Sequence, residues 1–346
     1  MSNGHLAGTP QGMVAFGYTL LCEQRGAREL VSDAVAAERA GFDFEVISDH
    51  YFPWLDSQGH SPYCWSVLGA VAASTEQIDL MTYVTCPIIR YHPAVVAQKA
   101  ATVALLAGDR FTLGLGAGEN LNEHVVGRGW PPVNVRHEML AEAIVIIRRL
   151  LSGGYVDFVG EHFRVDSAKL WDRPEGGVPL AVAVSGCQSV ELFAPVADAM
   201  VAVQPEPELV AAFDDAAGSR LPKIGQQPLS WGPDADAAIQ RAHEQFRWFA
   251  GGWKVNAELP GTAAFDAATQ FVRPSDVAKA IPCGPDLTAH VDAVRPFVEA
   301  GFTHVALAQV DGAMQPDFLS FAAEALLPAL REEYGTASSA TIPAVR

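Results

Sequence analysis

A histidine and an aspartate are adjacent in the stretch Ser48-Asp49-His50, and Trp54 follows four residues after the histidine. Histidine titrates near neutral pH, so His50 has the chemistry of a general base. The carboxylate of Asp49 could fix the imidazole tautomer or bind a cofactor ring. The alternative is a helix cap followed by an ordinary surface histidine. The cluster predicts proton transfer if the fold directs it into a cavity.

A second group of candidate residues is the glycine-rich stretch Gly116-Ala117-Gly118-Glu119. Gly116 and Gly118 let the backbone approach a ligand closely. A carboxylate at Glu119, on the wall opposite a histidine, would form an acid–base pair. The alternative is a surface loop with acidic residues. The GxGxxG fingerprint of dinucleotide-binding units is incomplete here, so a Rossmann site is not predicted.

A third candidate is the turn of small residues at Ser185-Gly186, which precedes a helical pattern. Free N–H groups at the start of a helix can hold a phosphate without a lysine. The alternative is a plain strand-to-helix turn, which has the same sequence pattern.

Short apolar runs alternate with longer amphipathic runs along the chain. Strands that are apolar along their whole length are typical of a parallel sheet buried on both faces. Eight strand–helix units predict an α/β fold, a (β/α)8 TIM barrel with insertions, and an open doubly wound sheet is the alternative. The three candidate groups each follow a predicted strand, where barrel active sites form. Strands are predicted at 13–18, 43–47, 78–84, 110–115, 180–184, 199–203, 228–231 and 303–308. Helices are predicted at 28–40, 93–106, 135–151, 207–216, 235–249, 287–300 and 316–334.

Length and composition suit one globular domain over residues 1–346, with flexible ends at 1–12 and 336–346. The connections 116–135, 152–179 and 251–285 are long and irregular, which is typical of lids or cofactor walls. The formal charge of −17 disfavours nucleic acid and anionic membrane surfaces as partners. Five scattered cysteines without a CxxC pair indicate reduced thiols in a cytoplasmic protein, and no metal site is predicted.

Together the strand ends resemble the luciferase-like enzymes that use the deazaflavin coenzyme F420, specifically the family of F420-dependent glucose-6-phosphate dehydrogenase. The resemblance runs from about residue 17 to residue 330, and the ordered set of motifs carries it. The motifs are Gly17-Tyr18, Glu23-Gln24, Arg28-Glu29-Leu30, Ser48-Asp49-His50, Pro53-Trp54, Arg90-Tyr91-His92-Pro93-Ala94-Val95, Gly118-Glu119-Asn120-Leu121-Asn122-Glu123 and Gly176-Gly177-Val178-Pro179.

The resemblance implies a role for each matching residue. It implies that His50 takes the proton of the substrate hydroxyl while a hydride moves to F420, and that Trp54 supports the developing charge. It implies that Glu119 protonates the reduced ring or positions the hydride acceptor, with Glu23 beside the reacting groups. Cofactor contacts are implied for Asp49, Tyr83, Val84, Thr85, Gly116, Gly118, Asn122, Ser185 and Gly186, with a cis peptide bond between Tyr83 and Val84.

The sequence departs from the sugar-phosphate enzymes where they hold the phosphate of their substrate. Glu206 stands where the family has a lysine after the sixth strand, and Ala267 and Ala280 align with two later cations. A phosphate dianion beside Glu206 would be repelled. Lys254, Arg273 and Lys279 are the nearby cations that could compensate. A sugar phosphate is therefore the less favoured substrate.

The resemblance implies an F420-dependent oxidoreductase that acts on a small alcohol, carbonyl compound, sugar or activated double bond. One alternative is an FMN-dependent monooxygenase on the same fold. Another is a non-catalytic cofactor-binding homologue, which the titratable groups at two strand ends disfavour. The resemblance also implies a homodimer.

Overall fold

Eight parallel strands close into a barrel in the computed structural model, which describes residues 13–218, 220–336 and 341–344. Neighbouring barrel strands follow chain order, and the last strand pairs with the first. The predicted (β/α)8 barrel is confirmed. The described chain has these eight barrel strands and two further strands, β5 and β6, which form a separate sheet. In chain order the strands are β1 (Ala15–Leu20), β2 (Phe44–Ile47), β3 (Asp79–Thr82), β4 (Phe111–Leu115), β5 (Val156–Val159), β6 (Arg164–Ala168), β7 (Leu180–Ala183), β8 (Ala199–Val201), β9 (Lys223–Leu229) and β10 (His304–Gln309).

Helices surround the barrel and bury one face against it. In the first helix, α1 (Ala27–Ala40), the carboxylate of Glu29 accepts a hydrogen bond from the backbone N–H of Gly26, 2.9 Å away, at the start of the helix. Gly41 ends the helix with φ 92°, as its sequence position predicts. The helices are α1 (Ala27–Ala40), α2 (Cys64–Ser74), α3 (Pro93–Ala107), α4 (Asn120–Glu123), α5 (Val133–Ser152), α6 (Cys187–Phe193), α7 (Pro207–Ala217), α8 (Ala235–Phe246), α9 (Trp253–Asn256), α10 (Thr262–Thr269), α11 (Pro274–Ala280), α12 (Leu287–Asp292), α13 (Arg295–Ala300), α14 (Gln315–Phe321) and α15 (Leu327–Tyr334).

Strand β9 differs from its prediction, because it covers Lys223–Leu229 and not 228–231. Two glutamines interrupt the apolar run of this strand, and so the sequence pattern places the start of the strand too late, at residue 228. Gln226 lines the cavity described below and donates to the hydroxyl of Thr19 at 3.2 Å, while Gln227 is buried and donates to the carbonyl of Pro228. Of the two glutamines, Gln226 therefore belongs to the cavity.

Several elements of the structure are missing from the sequence prediction. Helix α2, between β2 and β3, was not predicted, because its sequence is apolar on nearly every side and lacks a polar face. Two of the long connections also contain regular structure. Strands β5 and β6 form an antiparallel hairpin inside the connection 152–179. The short helices α9, α10 and α11 occupy the connection 251–285.

The segment 336–346, for which a flexible end is expected, includes described residues that contact the barrel. Thr336 bridges to Val14, and the hydroxyl of Thr341 donates to Asp79 at 3.0 Å. Ile342 is 6% exposed and packs into the cluster that fills the barrel, with Ala15 and Phe44 among its members. The expected flexible end at 1–12 lies outside the described residues.

No helix within residues 13–218, 220–336 and 341–344 has the length and apolar character needed to cross a bilayer.

Candidate active site

A cavity lies at the carboxyl ends of the barrel strands, where the loops that follow them converge. Predicted site residues that line it are Glu23, His50, Trp54, Tyr83, Val84, Gly116, Gly118, Glu119 and Ser185. Among the described lining residues, the predicted Asp49, Thr85, Asn122 and Gly186 are absent. Within residues 13–218, 220–336 and 341–344 there is no group of three or more His, Cys, Asp and Glu side chains that could hold a metal ion.

His50 lies between two carboxylates from different loops. Its Nδ1 is 2.8 Å from Oε1 of Glu23, which follows β1. Its Nε2 is 3.4 Å from Oε1 of Glu119, which follows β4. The three side chains are at most 13% exposed. An imidazole with a carboxylate near each nitrogen can accept a proton and stabilise the resulting charge.

The charges of this group shift its pKa values toward an ion pair. Burial would lower the pKa of His50, but the charge of Glu23, its hydrogen bond and the charge of Glu119 together raise that pKa. Burial would raise the pKa of Glu23, but the charge of His50 and hydrogen bonds from His50 and Ser48 lower that pKa. The hydroxyl of Ser48 donates to Glu23 at 2.9 Å. Glu23 therefore makes His50 a stronger base.

Asn122 connects the loop of Glu119 to the loop of His50. Its Oδ1 accepts hydrogen bonds from the backbone N–H groups of Tyr51 and Phe52, at 2.7 and 3.0 Å. Its Nδ2 donates to Oε1 of Glu119 at 2.5 Å. The side chain is buried behind the cavity wall, so this geometry suits positioning of Glu119.

The carboxylate of Asp49 is buried and holds four neighbouring side chains. Oδ2 accepts from Nε1 of Trp65 at 3.0 Å and from the hydroxyl of Thr85 at 2.8 Å. Oδ1 accepts from Nη2 of Arg90 at 3.1 Å and from the hydroxyl of Tyr91 at 3.2 Å. Asp49 and Thr85 thus belong to a polar layer behind the cavity, and contact of either with a cofactor ring stays a prediction.

Arg90 joins this layer to the loop of Glu119, a role that sequence reasoning did not assign. Besides Asp49 it contacts Glu123, whose Oε2 accepts from the Arg90 backbone N–H at 2.7 Å. Burial raises the pKa of Glu123 to about 7, against the opposing charge of Arg90. Arg90 belongs to a motif of the resemblance, but only the fold shows that it links these two loops.

Trp54 packs between His50 and an inserted segment. Its ring centroid is 4.9 Å from that of His50 and 4.2 Å from that of Trp248, with the two indoles within 11° of parallel. Phe265 contacts it edge-on at 5.1 Å. Trp248 has no local motif and reads as scattered packing in the sequence, because its partner lies far away in the chain.

One side of the cavity is formed by small residues and by Tyr83 and Val84, whose peptide bond is cis as the resemblance implied. A Cβ on Gly116 would lie 2.6 Å from Cγ2 of Val84, and so a larger residue would displace this wall. Gly118 has φ 73°, and a Cβ there would lie 2.4 Å from Sγ of Cys86. The glycines are required by close packing and backbone conformation.

The turn after β7 contributes Ser185 to the cavity, and Gly186 directly precedes α6. The backbone N–H of Ser185 donates to the hydroxyl of Ser189 at 3.1 Å. A Cβ on Gly186 would meet no atom within 4 Å. The turn leaves space for a ligand group, and a phosphate there stays a prediction.

The positions that depart from the sugar-phosphate pattern do not line the cavity. Within the described chain, neither Glu206, Ala267 and Ala280 nor the cations Lys254, Arg273 and Lys279 are among the lining residues.

The family model for luciferase-like monooxygenases matches residues 12–304. The chain belongs to the luciferase-like family. Its fold and the motifs after its strands both agree with this membership, and the resemblance seen in the sequence is confirmed.

The chain is similar to enzymes that are named for the coenzyme F420. It is 38% identical to the F420-dependent hydroxymycolic acid dehydrogenase of Mycobacterium tuberculosis, over 82% of this chain and 80% of the relative. It is 34% identical to the F420-dependent glucose-6-phosphate dehydrogenase of Nakamurella multipartita, over 93% and 98%. A solved F420-dependent secondary alcohol dehydrogenase, in complex with an F420–acetone adduct, matches with a TM-score of 0.82 and 27% identity, over 92% of this chain and 99% of the other.

Proposed function

We propose that the chain is an F420-dependent oxidoreductase that transfers a hydride between F420 and a small alcohol or carbonyl compound, with an activated double bond as the other acceptor class. The observation that carries the proposal is His50 held between Glu23 and Glu119 at the cavity, in a chain whose relatives are named for F420. The luciferase-like monooxygenases that use FMN are the alternative.

The cavity fits a flat, largely uncharged ring. Val84, Gly116 and Ala183 give it a smooth apolar side, and the buried hydroxyl of Tyr83 has no hydrogen-bond partner in the described chain. Tyr83, Val84, Gly116, Gly118, Ser185 and Gly186 would hold the coenzyme directly, and Asp49, Thr85 and Asn122 would support or contact it. When bound, F420 supplies two-electron hydride chemistry.

The chain itself manages the protons. In the oxidation of an alcohol, the hydroxyl proton goes to Nε2 of His50 as the C–H hydride leaves, and the product is the carbonyl compound. Glu23 stabilises the protonated imidazole at Nδ1, and Trp54 excludes water from its face. Glu119, whose Oε1 lies 3.4 Å from Nε2 of His50 and accepts from Asn122, would transfer a proton at the coenzyme side of the site. In the reverse direction His50 returns the proton to the carbonyl oxygen.

Turnover of F420 with a panel of secondary alcohols tests these roles. We expect His50→Asn to lower kcat by at least about a hundred-fold, the usual contribution of a general base. Glu119→Gln should lower kcat while F420 still binds. His60→Asn changes an exposed histidine and serves as the control. Unchanged turnover in both site variants would contradict the roles and favour a non-catalytic homologue.

The proposal includes a cytoplasmic homodimer. All five cysteines are free, which fits a reducing compartment. Tyr155, Val159 and Trp171 on and beside the β5–β6 hairpin are 64 to 78% exposed, and such apolar exposure is typical of an interface. Light scattering during size-exclusion chromatography should give twice the chain mass of 36.9 kDa. A monomer would contradict the dimer and leave the proposed chemistry untouched.

A further inference from the structure

One wall of the cavity is aromatic, and it comes from a single stretch of chain. Phe246, Trp248, Phe249 and Trp253 all line the cavity; they are called the aromatic wall below. We propose that the aromatic wall determines the substrate, so that the site takes an uncharged alcohol or carbonyl compound whose non-reacting part is apolar. This inference rests on the proposed function and adds the substrate class to it.

The aromatic wall adjoins the reacting end of the site. Trp248 stacks on Trp54 with ring centroids 4.2 Å apart, and Trp54 lies 4.9 Å from the ring of His50. Phe246 contacts Trp248 at 4.7 Å and Phe249 at 6.1 Å. A substrate whose hydroxyl reaches His50 therefore has the aromatic wall within reach of its neighbouring carbon groups.

The remaining side chains of the cavity disfavour an anion. Glu23 and Glu119 place two carboxylates at the reacting end. The positively charged or titratable bases among the described lining residues are His50, Arg136 and His137. Arg136 already donates to Glu258 at 2.9 Å and to the carbonyl of Pro131 at 3.0 Å.

The two histidines do not replace a free cation. His50 pairs with Glu23, so its charge is compensated. Burial and the charge of Arg136 lower the pKa of His137, which favours its neutral form. A phosphate or carboxylate on the substrate would thus lose its water without meeting a cation that lacks a carboxylate partner, whereas an apolar group would gain contact with the aromatic wall.

A substrate series measures the selection. We expect kcat/KM to rise from 2-propanol through 2-butanol and cyclohexanol to 1-phenylethanol, by about four-fold for each buried methylene. Glucose 6-phosphate should be turned over at least about a hundred-fold less efficiently than 1-phenylethanol, as a desolvated and unpaired charge requires.

Variants of the aromatic wall locate the effect. Phe249→Ala and Trp253→Ala should each lower kcat/KM for 1-phenylethanol by about ten-fold or more and change that for 2-propanol by less than about three-fold, because only the larger substrate loses contacts. The Kd for F420, measured by fluorescence quenching, should stay unchanged. The matched control is Phe271→Ala, in the same inserted region. It removes an aromatic side chain that is 86% exposed.

The outcomes separate this inference from the proposed function. F420 binding with a flat substrate series, or with a preference for glucose 6-phosphate, would overturn the inference alone. Wall variants that weaken F420 binding and leave the substrate preference unchanged would also overturn it, because the wall would then belong to the coenzyme. Failure to bind F420 would overturn the proposed function and the inference together.

Discussion

At the scale of single residues, the proposed reacting group is the imidazole of His50, whose pKa two neighbouring carboxylates raise. The residue types and their places after strands predict His50 and Glu119 from sequence. The contact of Glu23 with His50 at 2.8 Å is not readable in the same way, because the two residues follow different strands. The contacts that Asn122 and Arg90 make between loops can be seen only in the fold, for the same reason.

Removing the charge of Glu23 should move the pH dependence of the reaction. In Glu23→Gln, burial remains and lowers the pKa of His50, while the main charge that raised it is gone. Alcohol oxidation needs the neutral imidazole, so the acid limb of the kcat/KM profile should shift to lower pH. A pH–rate profile of both proteins measures this. Glu76→Gln, at an exposed position, should leave the limb in place, and a shift to higher pH in Glu23→Gln would contradict the ion pair.

The same substitution has a pH-dependent effect on stability. The raised pKa of His50 stabilises the fold fully below the ordinary imidazole value of 6.5, and this is lost as the pH rises through the raised value. The lowered pKa of Glu23 stabilises the fold fully above its ordinary value of 4.5, and this is lost as the pH falls. Urea denaturation should therefore show the largest difference between wild type and Glu23→Gln between pH 4.5 and 6.5. A difference that grows steadily above pH 8 would contradict this sign.

At the scale of elements, the alternation of short apolar runs with longer amphipathic runs predicts the barrel strands and most helices. Strands buried on both faces are apolar along their whole length, which leaves a clear pattern. The pattern fails where function or burial changes it. Gln226 interrupts β9 because it faces the cavity, and α2 is apolar on nearly every side. The short helices α9 to α11 lack the length for a visible period, so the inserted region read as irregular.

The loop after β4 depends on glycine at position 118. Gly118→Ala would place a Cβ 2.4 Å from Sγ of Cys86, at φ 73°. Gly127→Ala shares that φ of 73° but would meet no atom within 4 Å, so it isolates the backbone cost, about 1 kcal/mol. We expect Gly118→Ala to lower the free energy of unfolding by about 1–3 kcal/mol more than Gly127→Ala. Urea denaturation measures both, and equal losses would show that the contact with Cys86 is easily relieved.

At the scale of the whole molecule, the barrel is closed at its amino-terminal end by residues near the end of the chain. Composition alone suggested a flexible end, since Ala, Ser, Thr and Pro dominate there. Ile342 nevertheless packs into the cluster that fills the barrel. One isoleucine in a segment of mostly small residues gives no periodic pattern, and so only the fold reveals its place.

Ile342→Ala should destabilise the protein without altering its chemistry. The lost contacts lower the free energy of unfolding by about 2 kcal/mol, the lower end for burial loss at a core isoleucine. We expect an unchanged kcat, because Ile342 is not among the described residues that line the cavity. Leu106→Ala, at a half-exposed position, should cost less than about 1 kcal/mol. Equal stability of Ile342→Ala and wild type would mean that Ile342 does not hold the barrel end.

Parallel fluorescence titrations with F420 and FMN test the cofactor assignment most directly. The fit of the cavity and the F420-dependent relatives predict micromolar or tighter binding of F420, with FMN bound at least about ten-fold more weakly. Reduction of the bound F420 by a secondary alcohol should then follow in the same cuvette. A preference for FMN would contradict the F420 assignment and place the chain among the flavin-dependent monooxygenases of its family.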